Sequence, residues 1–170
     1  MNLKRIAALI CASVLALACT ACKSEPAAGA DVIPLTEEEV EILGMMGEDV
    51  HVIPESGYVE NVTEFQDHVG VFSGQVYQLE GIYTTTKVNG VDTAFLYRVL
   101  VHDGERTQCG MPIRYLDKEL PEGSWIRLTA IIGSDEYGGE RVSTFDKVAV
   151  ETLAQAGNTE LEWDGVGHKH

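Results

Sequence analysis

His102, Asp103, Glu105 and Cys109 flank one expected turn, Asp103-Gly104. On a two-stranded ribbon an imidazole, carboxylates and a thiolate can converge, and such a mixture suits zinc. The metal set on offer is His102, Asp103 and Cys109. No C-x-x-C or H-x-x-x-H spacing accompanies it, so the residues favour a solvated turn beside a core cysteine. Cys109 with His102 or His68 is also the one pair with nucleophile–base character. It sits before Gly110 on an expected strand, not at a helix N-terminus that would lower its pKa. Asp135-Glu136 lacks the D-x-D-x-D-G order of a calcium loop. The closing Gly167-His168-Lys169-His170 would bind metal only at a cost in ordering entropy. The chain therefore reads as non-enzymatic, with no catalytic residue and no cofactor.

Tyr97-Arg98 and Arg114-Tyr115 make a different kind of candidate, placed on two neighbouring expected strands. Aromatic and guanidinium groups on one barrel face suit a sugar, a peptide or an anionic small ligand. Equally, the tyrosines could pack against the N-terminal segment.

The elements that would carry these residues are mostly strands. Residues 75–85 are rich in Val, Tyr, Ile and Thr, with Gly81 marking a bulge or bend. Asn89-Gly90 is the strongest hairpin signal, since both residues tolerate positive φ. Strands are expected at 93–102, 107–115, 124–133 and 141–153, with 134–140 a Gly-rich loop. Upstream, 36–46 reads as a helix with Thr36 and Glu39 forming a capping box. Leu35 and Val40 hold the staple positions, and Val40 with Leu43 forms a narrow apolar face. A short extended piece at 50–54 and a helical turn at 63–69 follow. Five strands with close turns imply a mainly β fold, a five-stranded OB-like antiparallel barrel with a short N-terminal helix. The connection at 116–123 is too short for the usual helix there.

The first residues read as an address. Lys4 and Arg5 precede an uncharged apolar run, 6–18, closed by Cys19 and Cys22. The run is short for a bilayer span and ends in cysteine, as a bacterial lipoprotein signal does. Leu17-Ala18-Cys19 favours lipidation at Cys19, with Cys22 the alternative. The expected organisation is a lipoprotein signal peptide and lipobox at 1–22, a flexible tether at 23–34, an OB-like domain at 35–153 and a polar tail at 154–170. Within that tail Leu161 and Trp163 have the character to dock. The expected location is the extracytoplasmic face of the cell membrane, held by an acyl anchor such as palmitate.

Charge narrows the partners. The chain has 12 basic and 27 acidic residues, a net −15. Removing residues 1–18 takes away two basic residues and no acid, leaving 10 against 27, or −17. Such a surface disfavours nucleic acid and adhesion to anionic headgroups beyond the anchor. Cys109 is the only cysteine beyond the signal and tether, and a pairing with Cys22 has no spacing to support it.

Residues 74–82 (GQVYQLEGI) resemble the Y-x-G-K-x-[IV]-x-[LI]-x-G opening of a family of small lipoproteins in Gram-positive bacteria. More distantly, they are similar to the C-terminal domain of the YcgQ-type permease-subunit family. Tyr97-Arg98, Cys109-Gly110 and Gly123-Ser124-Trp125-Ile126 extend the resemblance over 50–150. It implies an OB-like envelope domain that works beside a permease or another envelope protein. Relatives carry a Cys-Cys pair where this chain has Gln108-Cys109, and a late fourth-strand Gly where it has Ala130. The missing cysteine weakens any metal or redox role carried over.

Overall fold

The computed structural model describes residues 32–137 and 139–162. The expected signal peptide, Cys19, Cys22, most of the tether and the end of the tail, Trp163 included, lie outside the described residues. The elements are α1 (Glu37–Met46), β1 (Val50–Val52), α2 (Tyr58–Asp67), β2 (Val76–Val88), β3 (Val91–His102), β4 (Glu105–Arg114), β5 (Trp125–Tyr137), β6 (Glu140–Thr152) and β7 (Glu160–Glu162).

Strands β2 to β6 close on themselves in the order β2-β5-β6-β4-β3, with β3 returning to β2. All seams are antiparallel except β4–β6, which is parallel. This is the five-stranded OB-like barrel expected from the turn pattern. One long strand makes closure possible. The first half of β2 pairs with β5 from Val76 to Ile82, and its second half pairs with β3 from Ile82 to Val88. Gly81 lies where the strand changes partners. A Cβ there would come within 2.9 Å of the Tyr97 carbonyl oxygen. The register runs through Gly81 unbroken on the β5 side, so the glycine serves a bend and a close approach. The register shift falls elsewhere, between Thr129 and Ala130, whose β6 partners are Ala149 and Lys147.

Both tight hairpins follow the residues. Asn89 and Gly90 take φ of 52° and 83°, and Asp103 and Gly104 take 51° and 80°, as primed two-residue turns require. The expected 134–140 loop is instead the end of a hairpin. β5 runs on to Tyr137, which pairs with Glu140. Arg141 supports this arm, donating to the Ser134 hydroxyl at 3.0 and 2.8 Å. As the short connection implied, 115–124 carries no helix.

Leu79, Leu96, Met111, Ile126, Leu128, Ile132, Phe145 and Val150 fill the core. α2 adds Tyr58, Val62 and Phe65 from one face, at helical spacing. Phe65 packs on Phe72 and Tyr77, with ring centroids 5.1 and 4.8 Å away. This helix begins five residues before the expected turn at 63–69, because its N-cap, Gly57, offers no side-chain signal.

α1 forms with the expected capping box: the Glu39 N–H donates to Thr36 Oγ1, and the Thr36 N–H donates to the Glu39 carboxylate. Its inward face is not the expected one. Val40 is 55% exposed and Glu39 is 3% exposed. The helix is docked by a carboxylate that meets Lys118, Lys147 and the Val150 N–H. Residues expected to belong to a polar tail also dock: β7 runs parallel to β3 and buries Leu161.

Candidate ligand-binding site at the barrel mouth

Three connections meet at one end of the barrel: the Asn89-Gly90 turn, the 115–124 segment and the end of the β5–β6 hairpin. Between them lies a cavity of about 790 Å³, within the size range of small-molecule and peptide pockets. Tyr83, Ile113, Leu116, Leu120 and Tyr137 supply much of its apolar lining, and Tyr115 and Val91 stand at its exposed margin.

Arg114 organises the rim. Its Nε and Nη2 donate to the two carboxylate oxygens of Asp146 at 2.7 and 2.6 Å. Its Nη1 donates to Asp135 at 3.2 Å and to the Ser134 carbonyl at 3.4 Å. The hydrogen bond from the Glu136 N–H and then the one from Arg114 hold the Asp135 carboxyl below its ordinary pKa. Burial, and after it the nearby Asp135 charge, pushes the Tyr137 phenol above its ordinary value. The Arg114 guanidinium lies 4.9 Å from the Tyr115 ring centroid. Tyr115 is 69% exposed and takes a φ of 58°. A bulky residue in the left-handed region costs about 1–3 kcal/mol. An exposed aromatic is thus held in a strained backbone setting against a guanidinium that is itself fixed.

Lys118 lines the same cavity, but its ammonium is committed inward. It donates to the Glu39 carboxylate, to the Val150 carbonyl at 2.9 Å and to the Pro34 carbonyl at 3.3 Å. Those three bonds use all its N–H groups.

The four residues singled out as a binding face do not form one surface. Arg114 and Tyr115 come together at the mouth. Tyr97 and Arg98 do not line it. Arg98 is 3% exposed. Its guanidinium is stacked between Tyr58 and Trp125, 4.9 and 4.8 Å from their ring centroids. Nε donates to the Glu80 carbonyl at 2.9 Å, and Nη1 donates to the Asn158 carbonyl at 3.4 Å and sits 3.5 Å from Glu55. It ties α2, the barrel and the docked tail together. Tyr97, its neighbour in β3, is half-buried opposite Ile82 and Gly110.

The metal set is also dispersed. His102 pairs in register with Glu105, whereas Cys109 pairs with Arg98, four residues further along β3, roughly 13 Å at strand rise. Cys109 is buried; His102 and Asp103 are exposed, with Nε2 and Oδ2 3.5 Å apart. Among the described residues no three His, Cys, Asp or Glu side chains gather as a metal site. Two residues on the paired strands of one hairpin cannot converge when the register sets them several rungs apart.

Sequence reasoning missed Tyr83, Lys118 and Tyr137. Tyr83 had a usable signal, since it falls in phase with the inward-facing Tyr77 and Leu79 of β2. Tyr137 had none, because it follows an acidic pair that reads as loop.

No helix among the described residues is long and apolar enough to cross a membrane. No protein-family model, curated protein or solved structure matches this chain.

Proposed function

We propose that the protein is an extracytoplasmic lipoprotein, anchored to the cell membrane through Cys19 or, alternatively, Cys22, whose OB-like barrel binds a partner protein or small ligand beside a permease. The anchor is supported by Lys4, Arg5, the apolar run and the cysteines that end it. The permease is what the resemblance of 74–82 implies. The binding role is carried by one observation: the cavity at the barrel mouth with Tyr115 exposed on its margin. Burial of Cys109 within the barrel favours binding over thiol chemistry.

Two measurements test the reading. Labelled palmitate should enter the protein in cells and be lost in Cys19→Ala or Cys22→Ala; no incorporation would remove the anchor. A photo-crosslinking residue at Tyr115, in membranes of the producing cells, should trap a discrete species that the same probe at exposed Thr107 does not. Equal or absent trapping at the two positions would remove the mouth as the binding site.

A further inference from the structure

The cavity at the barrel mouth is lined by four carboxylates, Asp92, Glu119, Asp135 and Glu136, and by one lysine. That lysine, Lys118, has spent all three donors on Glu39 and two carbonyls. Arg114, at the rim, has spent its fork on Asp146 and Asp135. Lys118 is the one cation among the described lining residues and its donors are spent; Lys87, which meets the lining Asp92, is exposed and does not itself line the cavity. The negative side is not balanced in the same way. Asp92 meets Lys87 at 2.7 Å and Asp135 meets Arg114. The carboxylates of Glu119 and Glu136 enter no ion pair among the described residues. An anionic ligand is therefore repelled, and a cationic one finds two open partners.

The same margin carries apolar surface. Val91 and Tyr115 are both exposed and both border the cavity. A bare cation or a small polyamine would leave them in water. A chain with apolar and basic side chains covers both features. We propose that the mouth takes a short basic segment of a partner protein, with a lysine or arginine against Glu119 and Glu136 and apolar neighbours over Val91 and Tyr115. The net charge of −15 would steer such a segment toward the barrel. The inference rests on the mouth being the binding site and adds the chemistry of the occupant.

The test uses two pools of short random-order peptides with equal apolar content, one rich in lysine and one rich in glutamate, plus spermidine alone. Amide resonances of the labelled protein are followed during titration. The lysine pool should shift residues around Tyr115, Glu119 and Tyr137, and the glutamate pool should not. The Glu119→Gln/Glu136→Gln double variant should weaken binding roughly fivefold. A charge-matched control, Glu60→Gln/Glu105→Gln, should leave it unchanged. Equal weakening in the control would reduce the effect to bulk charge and overturn the proposal. So would binding of the glutamate pool, or spermidine binding as tightly as the lysine pool. If no pool shifts the mouth while the Tyr115 probe still traps a species, the basic segment is wrong and the mouth stands as a site. If the probe is also blank, both fall.

Discussion

Arg114 and Asp146 face each other as register partners across the parallel β4–β6 seam, joined by two parallel hydrogen bonds of 2.7 and 2.6 Å. Only two residue pairs form that seam, the other being Ile113 with Phe145. The barrel is closed there by little backbone pairing, and a bidentate charge-assisted contact reinforces it. The sequence makes room for the carboxylate by omission: a Cβ on Gly133 would lie 2.7 Å from Asp146 Cγ. Thr144 donates a further bond to the same carboxylate at 2.8 Å.

Asp146→Ala leaves a half-buried guanidinium with only the exposed Asp135 to face. The loss should be about 2–3 kcal/mol in urea unfolding, with the rim around Tyr115 loosened as well. A loss within about 0.5 kcal/mol would show that the fork adds nothing to closure.

Glu39 gives the fold an acid-sensitive lock. Burial alone would raise its pKa, but hydrogen bonds from Lys118, the Thr36 N–H, Lys147 and the Val150 N–H outweigh it and hold the carboxyl at about 2, against an ordinary 4.5. The folded form thus binds the proton less readily than the unfolded one. The stabilisation is fully present above pH 4.5 and is lost as pH falls toward 2. Its size is on the order of 3 kcal/mol. Glu39→Gln should destabilise the protein at neutral pH and flatten the stability profile between pH 4.5 and 2. An unchanged slope in calorimetry over that window would assign the acid sensitivity to other carboxylates.

What the residues announced, and what they hid, divides along the range of the interaction. Asn89-Gly90, Asp103-Gly104, the Thr36–Glu39 box and the alternation of β2 are local, so they were legible. The β4–β6 seam joins Arg114 to a residue 32 positions away, and no local signal marks it. Glu39 looked like cap chemistry, and so it is, but its burial depends on Lys118 and Lys147, far along the chain. Arg98 looked like a ligand-binding arginine because the rings that enclose it, Tyr58 and Trp125, come from two other elements. Asp135-Glu136 read as loop because acids are rare in strands; as the exposed arm of a hairpin they cost little. The barrel was visible in the strands and turns. The site, assembled from three separate connections, was visible only in Arg114 and Tyr115.

Tyr115 separates stability from binding. Its φ of 58° suits glycine far better than a tyrosine. Tyr115→Gly should relieve strain and leave the melting temperature equal or higher, offset in part by the greater freedom of glycine in the unfolded chain. The same change removes the ring at the cavity margin, so mouth binding should fall roughly tenfold. A clear drop in melting temperature would mean that the ring's contact with Arg114 outweighs the strain.

Arg98 should behave in the opposite way. Its charge lies between two rings, with its donors on the Glu80 and Asn158 carbonyls. Lysine keeps the charge but cannot stack as a plane or reach both carbonyls at once. Arg98→Lys should cost about 2 kcal/mol. It should also speed amide exchange in β7, since the 158–162 segment loses its tie to the barrel. Trapping by the probe at Tyr115 should persist below the unfolding transition, because Arg98 does not line the mouth. Loss of trapping at full stability would return Arg98 to the binding surface and join the two ends of the barrel in one function.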